Sequence, residues 1–526
     1  MPLGTGTLID GGGNAGLIGP SIHRLNDDCL TTIFHEVVYH APFSSVGFKW
    51  VKLRAYQLVR ITHVCQRWRG LAVDLAELWA DVVLEYPAAF LTFLERAREA
   101  PLNTYTLTGR SISKEQVDYI VAHPERLRTL YIKDQPITAA LSFAGSTLPV
   151  LDWLEFDYTD GEPHFDIGER PFHAPLLKTA RFWNLYTPFV APCLTTLDMS
   201  VDRDKSAEIN VEDFRTLLKG LPLLETLFLQ NCLSEEGWET ESDERIELPH
   251  LDCLYITSSM STIVSVIETL DRINDYAYIS LVVLELEDKD DAAFLANTLR
   301  PYLESAPHDT LSMSGYYQDP IGGGDGSPSP TLSIWSSDKK GRNSRAYTLN
   351  MDVATGPEDI MSIYKSFFEQ LSEGQIQDLR IYHPYRYNQF DWEQTLLAFH
   401  LPQFTQSVRT MEYILADVDE EEGDFGSALL PMFLLCKPVA YASLVSIRIR
   451  IDDSGSYARA TSPDEMKRLL RWLRARAAAN KPLRTLTLSN NTDNRYEPHR
   501  LRDCEVWEEV KKYVRVADER QSSTRW

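Results

Sequence analysis

The feature that most constrains this chain is a recurring pattern, Leu-x-x-Leu-x-Leu, in which other large apolar residues can stand for leucine. Copies occur at Leu127/Leu130/Ile132, Leu151/Leu154/Phe156, Leu194/Leu197/Met199, Leu224/Leu227/Leu229, Leu251/Leu254/Ile256 and Leu281/Leu284/Leu286, with a weaker one at Leu177/Ala180/Phe182. Most starts lie roughly 24 to 30 residues apart. The last two apolar positions alternate, as on a short strand that buries one face, and the first seals the turn leading into it. Such a strand cannot bury its face alone, so each copy needs neighbours, and stacked copies share one core. Between copies the spacing predicts helices: Val211–Leu221 through Phe214, Leu217 and Leu218; Ile263–Ile273 through Val264, Ile267 and Leu270; Ala292–Leu303 through Phe294, Leu295 and Leu299. Strand alternating with helix implies right-handed parallel crossovers and an α/β fold class.

The pattern pauses and resumes. Residues 319–336 include Ile-Gly-Gly-Gly-Asp-Gly-Ser-Pro-Ser-Pro and predict a turn-rich loop, within an irregular region near 319–345. Longer periods follow, at Ile376/Leu379/Ile381, Val408/Met411/Tyr413, Leu444/Ile447/Ile449 and Leu483/Leu486/Leu488, with helices predicted over Asp359–Leu371 and Pro463–Ala479. The acidic run 417–424 reads as a solvated loop. A helix over Cys504–Val514 is expected to cap the open end before a polar tail, so 504–526 forms a terminal piece. These segments resemble leucine-rich repeats, although irregular ones, because the usual Asn or Cys beyond the strand is matched by Cys232 and Asn491 but not in most units. The resemblance implies a solenoid over residues 86–503, a curved parallel sheet with helices outside. At its start, Asp81–Tyr86 reads as a short strand, Pro87–Ala100 as a helix with Phe90, Leu91, Phe93, Leu94 and Ala97 on its apolar side, and 102–109 as a strand.

Residues 21–85 have a different character. Leu30, Ile33, Phe34, Val37 and Val38 recur at i, i+3, i+4, i+7 and i+8, which places one apolar stripe on a helix that Asn26 or Asp27 can cap. Leu58, Ile61, Val64, Cys65, Trp68, Leu71 and Ala72 follow the same spacing on a second helix. Neither helix is stable alone. The order Leu25, Asn26, Asp28, then Leu30, Ile33, Phe34, then Val64, Cys65, Trp68, then Leu78, Trp79 resembles the F-box in the form common in large fungal families. Asn26 stands where the family uses Pro, and the connection from Tyr39 to about Lys52 is longer than the motif needs. The resemblance implies that Leu25, Leu30, Ile33, Phe34, Val37, Leu58, Ile61, Val64, Cys65 and Trp68 hold a Skp-type adaptor. The chain would then be the substrate-recognition subunit of an SCF-type cullin-RING E3 ubiquitin ligase, not itself an enzyme, directing a bound target to degradation. The alternative is a leucine-rich-repeat scaffold for protein interactions unrelated to ubiquitin.

If the repeats form a sheet, residues alternating with the core leucines face outward. Tyr131, Trp153, Glu155, Phe228, Tyr255, Glu285 and Glu287 are the candidate target-binding residues, with Asp157 and Asp198 beside them and Arg380, Arg448 and Arg450 making the late strands more basic. The formal net charge of −24 argues against nucleic acid or an anionic membrane as partner. The seven cysteines are scattered without a CxxC pair, as expected of reduced thiols in the cytoplasm or nucleus. The Gly-rich residues 1–20 read as a disordered leader and lack the apolar core of a secretory signal. The most apolar run, 428–445, is broken by Pro431, Lys437 and Pro438, which speaks against a membrane span. No GxSxG, HExxH, EF-hand or Walker motif is present, and the twelve histidines form no metal-ligand spacing, so neither metal nor cofactor is expected.

Overall fold

The computed structural model describes residues 25–39, 51–104, 113–133, 142–158, 170–202, 208–238, 245–271, 273, 277–286, 289–303, 309–314, 331–335, 346–353, 365–383, 406–416, 441–452, 463–490 and 505–518. The expected leader at 1–20, the connection at 40–50, the loop at 319–330, the acidic run at 417–424, Glu287, Cys436, Asn491 and Cys504 lie outside them. The chain divides into two compact units, Met1–Phe156 and Asp157–Trp526.

The first unit opens with helices. Helix α1 (Asp27–Tyr39) starts at Asn26, whose side-chain oxygen accepts the Cys29 N–H at 2.8 Å. It buries Leu30, Phe34 and Val38 against α2 (Val51–Thr62) and α3 (Gln66–Asp74). The second expected helix is two helices. The chain turns at His63 and Val64 through tight bonds to the Arg60 and Ile61 carbonyls, and Cys65 takes an extended conformation in which its sulfur caps α3 by accepting the Trp68 N–H. Val64 therefore sits in a turn. Arg67 locks this corner, with its Nε and Nη2 on Asp27 (3.0 and 2.7 Å) and Nη2 on the Leu25 carbonyl (2.6 Å).

Next come α4 (Ala76–Ala80) and, after a single 3-10 turn at Pro87–Ala89, α5 (Phe90–Ala97). Residues 81–85 form turns and Tyr86 is extended, so the strand expected over Asp81–Tyr86 is absent; Asp81 and Glu85 bond back toward α4 and the turn itself. Trp79 is wholly buried, donates to the Ala72 carbonyl at 2.7 Å and packs on Phe93. On α5, Phe90, Phe93 and Ala97 face inward as expected, but Leu91 is exposed. Strand β1 is only Leu102–Asn103, followed by α6 (Lys114–Ala122), β2 (Leu127–Ile132) and β3 (Trp153–Asp157). The three strands pair in parallel, β1 with β2 and β2 with β3.

The second unit is mixed α/β and built mainly on parallel strands. Strands β5 (Thr179–Trp183), β7 (Thr196–Ser200), β8 (Thr226–Gln230), β9 (Cys253–Ser259) and β10 (Tyr278–Leu286) pair in that order, all parallel. A separate ribbon joins β4 (Phe172–His173) to β6 (Phe189–Val190). Leucines and their substitutes stack in rows: Ala180, Leu197, Leu227, Leu254 and Ile279 in one, Phe182, Met199, Leu229, Ile256 and Leu281 in the next, all buried. The register at β10 differs from expectation. Ile279, Leu281 and Val283 point inward and Leu284 is half-exposed, because both alternations of Tyr-Ile-Ser-Leu-Val-Val-Leu are apolar and only pairing with β9 distinguishes them.

Four of these strands, β5, β7, β8 and β9, are entered by the same device. The pattern Leu/Ala-Pro-x-Leu makes a turn closed by an N–H to carbonyl bond, Leu177 to Ala174 (3.1 Å), Leu194 to Ala191 (3.0 Å), Leu224 to Leu221 (3.2 Å) and Leu251 to Leu248 (3.1 Å). Proline presets the φ of the second residue in such turns. The helix Val211–Lys219, capped by Asn210, buries Phe214, Leu217 and Leu218, and the helix Met260–Thr269 packs on β9 and β10. In the helix Lys289–Leu303, Leu295 and Leu299 are buried but Phe294 is exposed, contrary to expectation.

Part of the expected central loop is strand. β11 (Thr310–Ser314), β12 (Thr331–Trp335) and β13 (Ala346–Val353) form an antiparallel meander inserted in reverse order, so β13 pairs with β10 and β11 with β14. Parallel pairing resumes through β14 (Asp378–His383), β15 (Thr410–Ala416), β16 (Ser446–Asp452) and β17 (Thr485–Asn490). The helix Pro463–Ala478 lies between the last two in sequence. The expected terminal helix spans only Glu505–Val510 and leads into β18 (Arg515–Asp518), which pairs with β17. No helix among the described residues is long and apolar enough to cross a membrane.

Candidate functional site

The ten residues expected to hold an adaptor separate into two sets. Leu30, Phe34, Leu58 and Ile61 are buried among the helices of the first unit, so here they are core, not a surface to offer; the helices are small and need them for their own packing. Val37 and Val64 are exposed, 38% and 56%, and Leu25, Ile33, Cys65 and Trp68 are half-buried. Ile33 and Val37 stand one turn apart on α1, while Val64 and Cys65 belong to the α2–α3 turn and Trp68 to the first turn of α3. The two elements meet through Phe34 and Trp68, whose ring centroids are 5.0 Å apart.

Of the outward residues, Tyr131, Trp153 and Glu155 lie in the first unit. Tyr131 is 7% exposed, its ring 6.5 Å from that of Trp153, and it pairs in register with Glu155. Thr104 Oγ1 accepts the Tyr131 N–H, tying it to the strand edge. Tyr131 is therefore packed against its neighbours rather than open.

Phe228 and Tyr255 come together in the second unit. They sit side by side on β8 and β9 with ring centroids 5.6 Å apart, and Tyr278, which the shifted register of β10 turns outward, continues the row at 5.2 Å from Tyr255. Cys253 lies in register with Tyr278, and burial pushes the Cys253 thiol and the Tyr255 phenol above their ordinary ranges, which disfavours their ionised forms. Asp198 flanks Phe228 on β7, and Arg181 flanks Asp198 on β5, with 3.9 Å between their charged atoms. Burial raises the Asp198 carboxyl, opposed by a hydrogen bond from Ser200 and by Arg181. Tyr278, Cys253 and Arg181 were absent from the sequence expectation, the first because of the register of β10. The side chain of Glu285 lies outside the described residues.

The late strands are not simply basic. Glu412 on β15 is buried between Arg380 on β14 and Arg448 on β16, and accepts from Arg380 Nε at 3.2 Å. The Arg450 side chain lies outside the described residues. Among the described residues no group of three or more His, Cys, Asp or Glu is placed to hold a metal ion.

The sheet face thus offers rigid aromatic rungs beside a charged pair, an arrangement suited to anchoring apolar groups of a partner at a polar rim. The sequence matches no family model, and no curated protein matches it significantly.

Proposed function

We propose that this chain is the substrate-recognition subunit of an SCF-type cullin-RING ubiquitin ligase, with residues 21–85 acting as an F-box and the strands beyond them as an irregular leucine-rich-repeat solenoid that selects the target. The chain itself is noncatalytic in this reading, and transfer chemistry belongs to other subunits. The observation that carries it is the exposure of Val37 and Val64, with Ile33, Cys65 and Trp68 half-buried, at positions that agree in order with the F-box. Apolar side chains left at a helical corner are what a partner subunit covers. The stacked leucine rows, on strands of which β5, β7, β8 and β9 are each entered by the same turn, support the repeat reading. The aromatic row Phe228, Tyr255 and Tyr278 is the surface best suited to hold a target.

Co-purification of the full chain with a Skp-type adaptor and a cullin tests the reading. Val37→Asp with Val64→Asp is expected to abolish adaptor capture while leaving the far-ultraviolet circular dichroism unchanged, since neither side chain is core. A wild-type chain that captures no adaptor overturns the proposal. Capture without ubiquitination of a bound target in a reconstituted reaction leaves a scaffold instead of a ligase receptor.

A further inference from the structure

The connection from β5 to β7 runs as extended chain through β6, whereas the connection from β7 to β8 is the helix Val211–Lys219. A two-stranded ribbon is thinner than a helix, so placing one beside the other leaves a step in the layer covering the sheet. That step is a cleft of about 580 Å³, within the roughly 300–1,000 Å³ usual for ligand clefts. Tyr186 and Phe189 line one side, and Asp213, Thr216 and Leu217 line the other from successive turns of the helix. The aromatic side is rigid, because Phe189 stacks on Phe172 and Phe182 at 5.7 and 5.6 Å and meets Tyr186 edge-on. Asp213 is held in place: its N–H donates to Asn210 Oδ1 at 2.9 Å, and Asn210 Nδ2 donates to its carboxylate. Among the described residues, the charged ones lining the cleft are Glu208 and Asp213, both exposed carboxylates.

From this geometry we propose that the cleft binds an arginine side chain presented by an extended segment of a partner protein. The inference deepens the reading of the chain as a target receptor and rests on it. A guanidinium is a planar cation that can take a carboxylate through two parallel hydrogen bonds, and Glu208 and Asp213 are exposed to accept them, while Tyr186 and Phe189, 6% and 7% exposed, close the cleft as a packed apolar wall. Its aliphatic stem matches the apolar lining, to which Val190 contributes an exposed side chain.

The test is selection from an immobilised positional-scanning hexapeptide library by the full chain, followed by titration of the best peptide and of free argininamide. Arginine is expected at one dominant position, lysine second. Glu208→Gln and Thr216→Trp, both changes at exposed side chains, are each expected to weaken the peptide about tenfold or more, with circular dichroism unchanged. Four results overturn the proposal: no positional preference, a preference for acidic or wholly apolar residues, equal affinity for argininamide and peptide, or a preference unaffected by both variants. Adaptor capture is measured on the same preparation. Selection without adaptor capture keeps the cleft and removes the ligase reading; capture without selection does the reverse.

Discussion

Asn184 is the residue whose replacement tests the architecture most directly. It follows β5 with φ at +53°, in the left-handed region, and is completely buried. Its backbone N–H donates to the Ser200 carbonyl at 2.8 Å, extending the ladder past the strand. Its side chain makes three further bonds. Nδ2 donates to the Tyr158 carbonyl (3.0 Å) and to Asp202 Oδ2 (2.7 Å), and Oδ1 accepts the Asp202 N–H (2.8 Å). Replacement by alanine removes all three at about 1 kcal/mol each and leaves buried backbone groups to find new partners. It also puts a Cβ without a compensating polar group into the left-handed region, for about 1 kcal/mol more. Asn184→Ala should therefore cost about 3–5 kcal/mol, and Asn184→Gly about 1 kcal/mol less, because glycine tolerates the backbone but not the lost bonds. Urea unfolding of the full chain, followed by far-ultraviolet circular dichroism, reads both. The reasoning fails if either variant lies within 1 kcal/mol of wild type, or if alanine is tolerated as well as glycine.

Phe34→Ala should destabilise the first unit by about 3–5 kcal/mol, the usual loss for a large buried aromatic, seen as a lowered midpoint in thermal unfolding, whereas Val64→Asp should leave that midpoint in place. Burial raises the Asp81 carboxyl, against the Asn103 hydrogen bond and the charges of Arg128 and His35. The folded chain therefore holds that proton more tightly than the unfolded one, and the site's contribution, complete below the ordinary carboxylate range, is lost as pH rises through the folded value. Asp81→Asn is accordingly expected to raise the thermal midpoint at pH 7, with the advantage shrinking toward pH 4; a lower midpoint at pH 7 contradicts the assignment. Burial pushes the Cys232 thiol up to about 12, so iodoacetamide at pH 8 should label exposed Cys29 and spare Cys232 until the chain unfolds, as mass spectrometry of the labelled peptides would show. Arg476 is fully buried and donates from Nη1 and Nη2 to the Tyr441 and Leu444 carbonyls at 3.0–3.1 Å; Arg476→Lys should cost about 2 kcal/mol in the same urea assay, since a point charge cannot reach both.

How much of this was legible in the sequence depends on whether the deciding interaction is local. The leucine rows of β7, β8 and β9 could be read directly, because each copy carries its own alternation and each seals its own turn. At β10 the alternation is apolar on both faces, so local reading placed Leu284 inside and Tyr278 went unseen. Asn184 and Asn231 share a position one residue before that of Cys232, and both adopt the left-handed conformation. Their signal is present in the sequence, one residue ahead of the position that Cys232 occupies. The break at Val64 escaped because Leu58 through Ala72 keeps helical spacing across a turn that Cys65 makes by capping α3. The meander β11–β13 was hidden for a related reason: its partners lie across segments of uneven length, and nothing in 331–335 alone announces an antiparallel neighbour. Arg476 fell on the apolar side of a helix, where a charge looks out of place until the carbonyls it binds are seen.

The two faces of the early strands differ in a way that bears on binding. On the inward face the rows through Leu197, Leu227 and Leu254 and through Met199, Leu229 and Ile256 are apolar and close-packed, and their burial is complete without help from another molecule. On the outward face, Phe228, Tyr255 and Tyr278 are neighbours whose tilted rings partly cover one another while remaining half-exposed. Stability of the fold does not require them, since threonine or serine would serve equally on a solvated strand and would expose less apolar area. Aromatic pairs do return about 0.5–1.5 kcal/mol each beyond their buried area, so they are not a pure cost to the free chain. What they add is a surface already fixed in place before a partner arrives. Two torsions per side chain are all that remain to be ordered on contact, so more of the burial gained there survives as affinity.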